Sequence, residues 1–181
     1  MKSRWIAGLL AVTLVVAAPN AFARGLGIGA YGGVSIPVLQ DDVEQGTTYG
    51  VRAPLHLLPT LTFEPFYEST GLGDVDEDFG GLPYTRSGGD MSRFGLNVLF
   101  EFGTGVTFYP YGGFSSHKWT RDGSPDFDEV GYNGGLGIGF GTGIGLRFDL
   151  RGELDVIPTD DTSRKFGNVN VGVSYNLFKM P

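Results

Sequence analysis

The stretch Ile144-Gly-Leu-Arg-Phe-Asp-Leu-Arg-Gly-Glu-Leu-Asp-Val156 decides how this chain is read. Ile144, Leu146, Phe148, Leu150, Leu154 and Val156 fall on one side of an extended backbone, and Arg147, Asp149, Arg151, Glu153 and Asp155 on the other. Successive side chains leave a β-strand in opposite directions, so this alternation marks a strand with two unlike faces. The same period recurs along the chain, giving eight segments at roughly 26–36, 48–58, 60–69, 91–102, 106–116, 130–140, 144–157 and 167–178. Each is close to the 9–11 residues that a tilted membrane strand needs. Their connections alternate in length. Pro59, Gly103-Thr-Gly105 and Gly141-Thr-Gly143 are tight turns, and the remaining connections are long and polar. An even strand number with short turns at one end and long loops at the other predicts an all-β fold, an eight-stranded up-and-down antiparallel transmembrane barrel.

Composition narrows the alternatives. The chain has 181 residues, 31 of them glycine, no cysteine and a formal charge of −7. Without cysteine there is neither a disulfide framework nor a thiolate metal site. An acidic balance argues against nucleic acid as a partner, and a 13% aromatic share argues against disorder. The length suits one domain.

Residues 1–23 read as an export signal. Lys2 and Arg4 form a short positive start, Trp5 to Ala18 is almost wholly apolar, and Ala21-Phe-Ala23 supplies a small-x-small cleavage pattern. The apolar run falls short of the ~20 residues of a spanning helix. Cleavage after Ala23 leaves residues 24–181 as the barrel domain, and no cysteine follows to carry a lipid anchor.

Alternation alone does not say which face meets lipid, since a water-soluble barrel shows the same pattern inverted. Three features place lipid outside. Most acids lie in the long connections: Asp41, Asp42, Glu44, Asp74, Asp76, Glu77, Asp78, Asp90, Asp122, Asp126, Asp128, Glu129, Asp160 and Asp161. The other acids share the polar face of the segments with Arg52, Arg93, Arg147 and Arg151. Beyond the leader, lysine occurs only at positions 118, 165 and 179, although a water-facing sheet normally carries it against edge pairing and for solubility. Finally, Phe102, Phe108, Phe140 and Tyr175 lie near the short turns and Tyr49, Tyr67, Phe94, Phe114 and Tyr132 near the long loops, as two interfacial girdles would.

Tyr109-Pro-Tyr-Gly-Gly113, the glycine-laced hairpin Gly134–Gly145, Arg151-Gly-Glu-Leu154 and the closing Val169-Asn-Val-Gly-Val-Ser-Tyr175 carry a resemblance. Over nearly all of residues 24–178 the chain resembles the small outer-membrane β-barrel proteins of OmpX/OmpA type. The resemblance implies the outer membrane of a Gram-negative-type cell, contact with lipid and lipopolysaccharide, and delivery by the barrel-assembly machinery. Members usually end on an aromatic residue. Here Leu177 occupies that place, and Phe178 is followed by Lys-Met-Pro. Pro54, Pro65 and Pro110 fall inside segments, where each forfeits a ladder hydrogen bond, so bulges or broken pairing are expected there.

Few residues suggest catalysis or cofactors. Gly27-Ile-Gly-Ala-Tyr-Gly32 matches a dinucleotide fingerprint, but it runs into Val34-Ser-Ile-Pro37 and opens no helix. Asp74-Val-Asp-Glu-Asp78 starts like a calcium loop but has Phe79 and Thr85 where such loops need glycine and glutamate. It reads as a solvated acidic loop or a loose site for Ca²⁺ or Mg²⁺. Ser115 and His117 share a strand face, with Asp126 and Asp128 beyond, and a hydroxyl, an imidazole and a carboxylate could make a nucleophile–base–orienter set. In reversed order the pair resembles the His-x-Ser pair of outer-membrane lipid A deacylases, and lipid A modification is what that resemblance implies. His56 reads as a lumen residue beside a carboxylate. The stronger expectation is a salt-bridge network of Arg52, Glu64, Glu68, Arg93, Glu101, Arg147, Asp149, Arg151, Glu153 and Asp155, with Arg147 and Arg151 as hubs for Glu64, Glu101 and Glu153. Buried charges are tolerated only when paired. Such a network plugs the lumen of a non-enzymatic barrel without cofactor or metal, whose role is envelope integrity or surface interaction. Asp74, Asp76, Asp78, Phe79 and Tyr84 are the candidate binding residues. The alternatives are a small transport barrel for ions or hydrophobic solutes and the lipid A-modifying enzyme.

Overall fold

The computed structural model describes residues 25–38, 43–80, 82–121, 126–159 and 163–179. The leader at 1–23 and the acids Asp41, Asp42, Asp122, Asp160 and Asp161 lie outside them, as do the side chains of Glu77, Phe79 and Leu82. The strands are β1 (Gly25–Pro37), β2 (Glu44–Arg52), β3 (Leu55–Leu58), β4 (Leu61–Gly73), β5 (Val75–Phe79), β6 (Leu82–Arg86), β7 (Asp90–Phe100), β8 (Val106–Thr120), β9 (Phe127–Gly141), β10 (Leu146–Pro158) and β11 (Ser163–Lys179). β2 and β3 are two halves of one stave, both pairing with β1 and β4. Neighbouring staves are antiparallel, and β11 closes on β1 from Gly25↔Lys179 to Pro37↔Phe166. The result is a closed eight-stranded barrel without sheet edges. β5 and β6 form a separate two-stranded hairpin in the long connection between β4 and β7, a region expected from sequence to be an unpaired loop.

The strand limits differ from the alternation at both ends. Ile144 stands in the turn before β10, 73% exposed, so the decisive stretch becomes a strand only from Leu146. At the other end β8, β9 and β11 run to 15, 15 and 17 residues, longer than the hydrocarbon layer requires. Glu44, Asp90, Asp128 and Glu129 therefore sit on strand ends rather than in loops. The tight turns keep their glycines, with positive φ at Gly103, Gly105 and Gly145.

The prolines behave according to where their missing donors point. In an antiparallel ladder a residue's N–H and C=O face the same neighbour. The Pro65 carbonyl accepts from Ala53 N–H at 3.0 Å, so its missing donor also faces Ala53-Pro54, where β2 gives way to β3. One interruption thus accommodates two prolines. Phe102 and Phe108 exchange both backbone bonds, so Pro110, two residues on, also faces β7. There the pairing stops at Leu99↔Tyr111. β4 and β8 nevertheless run through their prolines without a register shift against β7 and β9. At the C-terminus the ladder slips between Leu26↔Phe178 and Gly27↔Asn176. This bulge leaves Leu177 and Phe178 both exposed on the outside.

Alternation sorts the barrel wall by solvent. Outward positions carry Tyr49, Tyr67, Phe94, Phe114 and Tyr132 toward the loop end and Phe102, Phe108, Phe140 and Tyr175 toward the turn end, all exposed. Inward positions are mostly polar or charged through the middle, with Phe66 and Leu99 as apolar exceptions. Above that level the polarity reverses. Val43, Leu72, Met91, Trp119, Ile157 and Phe166 point inward and form a buried apolar cluster. Trp119 meets Phe166 edge-on at 6.3 Å and donates its indole N–H to the Gly88 carbonyl at 2.9 Å. Where strands rise out of lipid the outside is wet, so apolar side chains gain by turning inward. This apolar cap was not expected from the sequence.

Candidate functional site in the lumen

Small inward residues leave the space that large polar side chains fill. A Cβ at Gly137 would lie 2.3 Å from the Tyr109 ring, and one at Gly172 would lie 2.4 Å from the Arg52 guanidinium. The barrel thus trades side-chain volume on one wall for arginine and tyrosine on the other, as a narrow eight-stranded interior requires.

Toward the turn end, three guanidinium groups face three carboxylates. Arg52 grips both oxygens of Asp149. Arg151 donates to Glu64 twice, at 2.5 and 2.9 Å, and its Nε reaches the Tyr109 hydroxyl at 3.0 Å and Asp149 at 3.1 Å. Arg147 donates to Glu101 at 2.5 Å and to Thr107 at 3.0 Å. The Thr62 hydroxyl donates to the other Glu101 oxygen at 2.8 Å, and His56 stands 3.7 Å from that oxygen. Arg147 and Arg151 also lie over the Tyr109 ring, at 5.0 and 5.2 Å, a placement favoured by the ring's negative face.

Toward the loop end one guanidinium serves three carboxylates. Arg93 bonds Glu68 at 2.7 and 3.0 Å, Glu153 at 2.6 Å and Asp155 at 3.2 Å. Asn133 and Asn168 donate to Glu153 as well. The expected hub for Glu153 therefore changes: Arg93 holds it, not Arg147 or Arg151. The reason lies in height along the barrel. Glu153 lies further toward the loops than Arg147 and Arg151 on β10, level with Asn168 across the β10–β11 ladder. Of the ten charged residues singled out in the sequence, each has at least one hydrogen-bonded ion partner. Tyrosine is expected on the polar face, but Phe66 is not, and the sequence does not single out Tyr31, Tyr109 and Tyr111 as the rings that turn inward. The glycines opposite them in the alternation are the signal that could have found them.

Two inward voids among the described residues are small. One, of about 10 Å³, lies among Tyr31, Arg52, Arg93, Asn97, Tyr111 and Asn170, and another of about 10 Å³ lies among His56, Glu64, Glu101, Arg147 and Ser174. Each has room for about one water. A wider recess of about 380 Å³ opens at the turn end beside Thr107, Thr142, Arg147 and Asn176.

Ser115 and His117 do come together, with the hydroxyl 2.9 Å from Nε2. The nearby acid is Asp155, 3.5 Å from that same Nε2, not Asp126, which pairs with Lys118 at 3.4 Å on the exposed side. In a nucleophile–base–acid relay the acid takes the nitrogen opposite the nucleophile. All three side chains are buried beneath the apolar cap.

On the outer hairpin, Asp74 accepts the Gly88 N–H at 2.9 Å and Asp76 accepts the Thr85 hydroxyl at 2.8 Å. Tyr84 is exposed, and Asp78 stands on β5. Among the described residues no three His, Asp or Glu side chains converge as metal ligands.

Comparison with known proteins agrees with this architecture. Neisserial surface protein A aligns over 87% of this chain and all of its own, at 15% identity and a TM-score of 0.70. The N-terminal β-barrel domain of Pseudomonas aeruginosa OprF covers 86% of this chain and all of its own, at 14% identity and a TM-score of 0.55. Yersinia pestis Ail, the attachment invasion locus protein, solved with the heparin analogue sucrose octasulfate, covers 85% of this chain and 99% of its own, at 15% identity and a TM-score of 0.51. Likeness at such identities concerns the fold. Comparison with curated sequences yields no match. The model for the outer membrane protein beta-barrel domain matches residues 7–176. This chain therefore belongs to the outer membrane protein β-barrel domain family and is an integral barrel of the outer membrane.

Proposed function

We propose that this barrel is a closed, non-enzymatic surface protein that displays an acidic hairpin outside the cell and contributes to envelope integrity. One observation supports the reading: paired charges cross the middle of the lumen and the apolar cluster of Trp119, Ile157 and Phe166 lies above them. An ion crossing it would have to displace bidentate guanidinium–carboxylate pairs and then enter a dry layer, each step costing several kcal/mol. The approach of Ser115 and Asp155 to one nitrogen of His117 supports the non-enzymatic assignment. The loops and hairpin are acidic, so the partner we favour is a cationic or divalent-ion-bridged surface rather than a sulfated polyanion of the kind bound to Ail. Asp74, Asp76, Asp78 and Tyr84 are the residues proposed to meet it, with Phe79 beside them in sequence. We further propose lipopolysaccharide around the wall and delivery by the assembly machinery, with Phe178, turned outward by the bulge, as the terminal aromatic that is read.

Planar-bilayer recording of the refolded barrel tests closure. A flat baseline is expected, and stable unitary steps would favour the transport reading. Deletion of residues 75–87, which spares the Gly88 carbonyl bonded to Trp119, should leave a heat-resistant barrel that no longer adheres to cationic surfaces. Retained adhesion would refute the hairpin's role.

A further inference from the structure

We propose that the waist of the lumen binds one ordered water molecule, which joins the two charge clusters into a single network. The hydrogen-bonded ion pairs described above fall into one cluster or the other. Arg52, Arg147 and Arg151 hold Asp149, Glu101 and Glu64 toward the turns, and Arg93 holds Glu68, Glu153 and Asp155 toward the loops. A void of about 10 Å³ lies between them, walled by Arg52, Glu64 and Arg151 of the first cluster and by Arg93 and Glu153 of the second. Three residues that line it each carry a buried polar atom without a hydrogen-bond partner: Arg52 Nε, the Tyr111 hydroxyl and Asn170 Oδ1. None of the three is free to turn and find one. Both terminal nitrogens of Arg52 are committed to Asp149, and its Nε stands 3.9 Å from Glu64, beyond hydrogen-bond reach. Tyr111 and Asn170 are pressed against bare backbone, where a Cβ added at Gly135 would lie 2.8 Å from the hydroxyl and one added at Gly33 would lie 2.3 Å from Oδ1.

The identity of the ligand follows from hydrogen-bonding roles, charge and size. An Nε–H only donates, an Oδ1 only accepts, and a phenolic hydroxyl does either. Water does both, so one molecule accepts from Arg52, donates to Asn170 and shares a bond with Tyr111. A cation is opposed by the guanidinium groups of Arg52, Arg93 and Arg151 on the same walls, and an anion by Glu64 and Glu153. A space of this size admits nothing larger than water. Unpaired, the three atoms would forfeit the hydration they have in the unfolded chain, and a bridging water returns it at a small entropic cost. Arg52 belongs to the turn-side cluster, and Tyr111 lines the void together with Glu153 of the loop-side cluster. A water bonded to both lets each cluster respond to the other's charge.

The test uses the full barrel with isotope-labelled arginine, refolded into lipid nanodiscs. In water-selected NOE and ROE spectra the Arg52 Nε–H should give cross-peaks of opposite sign, the mark of a water that stays bound longer than the barrel takes to tumble. Asn170→Val removes the acceptor and fills the void, so the cross-peaks should disappear in a barrel that keeps its heat-modifiable mobility. Tyr111→Phe removes only a hydroxyl and should weaken them severalfold, and it carries the test where Asn170→Val does not refold. The link between the clusters is read from the same resonance. Glu153→Gln should shift the Arg52 Nε–H in the wild type, and shift it severalfold less in the Tyr111→Phe background. Cross-peaks absent from the wild type, or unchanged in either variant that refolds, overturn the site. An equal shift in the two backgrounds overturns the link.

Discussion

Removal of the Arg151 guanidinium probes the lumen most directly. Arg52, Arg147 and Arg151 balance Glu64, Glu101 and Asp149 in the cluster nearer the turns, so Arg151→Met leaves an uncompensated negative charge in a buried space. Glu64 would lose two hydrogen bonds and keep only Arg52 Nε, at 3.9 Å. Breaking one partner of such a pair typically costs about 3–5 kcal/mol, or roughly two to three and a half powers of ten in the folding constant. Glu64→Leu alone should cost toward the lower end, because Arg151 retains Asp149 and the Tyr109 hydroxyl. The double variant removes both charges together and should be destabilised by less than the two single losses combined, with a coupling of about 2–3 kcal/mol. Urea titration of barrels refolded into vesicles, followed by Trp119 fluorescence and by gel mobility, measures each term. Additivity within about 0.5 kcal/mol would refute the claim that Arg151 and Glu64 depend on each other.

Other expectations concern the cap, the glycines and the surface. Trp119→Ala should cost about 3–5 kcal/mol by leaving a cavity under the loops. It should also expose the rim to protease, and an unchanged urea midpoint would argue that the cap contributes no packing. Gly137→Ala forces a methyl against Tyr109 and should destabilise by about 1–3 kcal/mol, whereas Gly143→Ala, with nothing within 4 Å of the added carbon, should be close to neutral in the same titration. Lys118→Ala breaks a pair whose side chains are 55% and 56% exposed. Its cost should stay below about 1 kcal/mol and fall with added salt.

Much of this molecule is legible in the chain because a strand's side-chain period is 2 and lipid enforces it. The alternation from Leu146 to Val156 identifies which residues of β10 face inward. The tight glycine turns place the hairpins, and the outward tyrosines and phenylalanines bracket the membrane. Partner choice inside the lumen is not legible. Glu153 goes to Arg93, far away in sequence, because height along a closed barrel depends on strand tilt and register, which a linear pattern does not contain. The hairpin β5–β6 was hidden for a different reason: its Asp-rich sequence looks like a solvated loop, and its pairing draws on turn geometry at Gly80, with φ of 66°.

By itself the sequence determined that eight alternating segments must close into a barrel with lipid outside, since charges confined to one face of each strand leave no other stable arrangement in a membrane. Only the tertiary structure decided where that polarity reverses. Thr70 and Leu72, Arg93 and Met91, His117 and Trp119, Asp155 and Ile157 occupy successive inward positions of their strands. One member of each pair is polar and the other apolar, because the bilayer ends between them and water then lies on the outside.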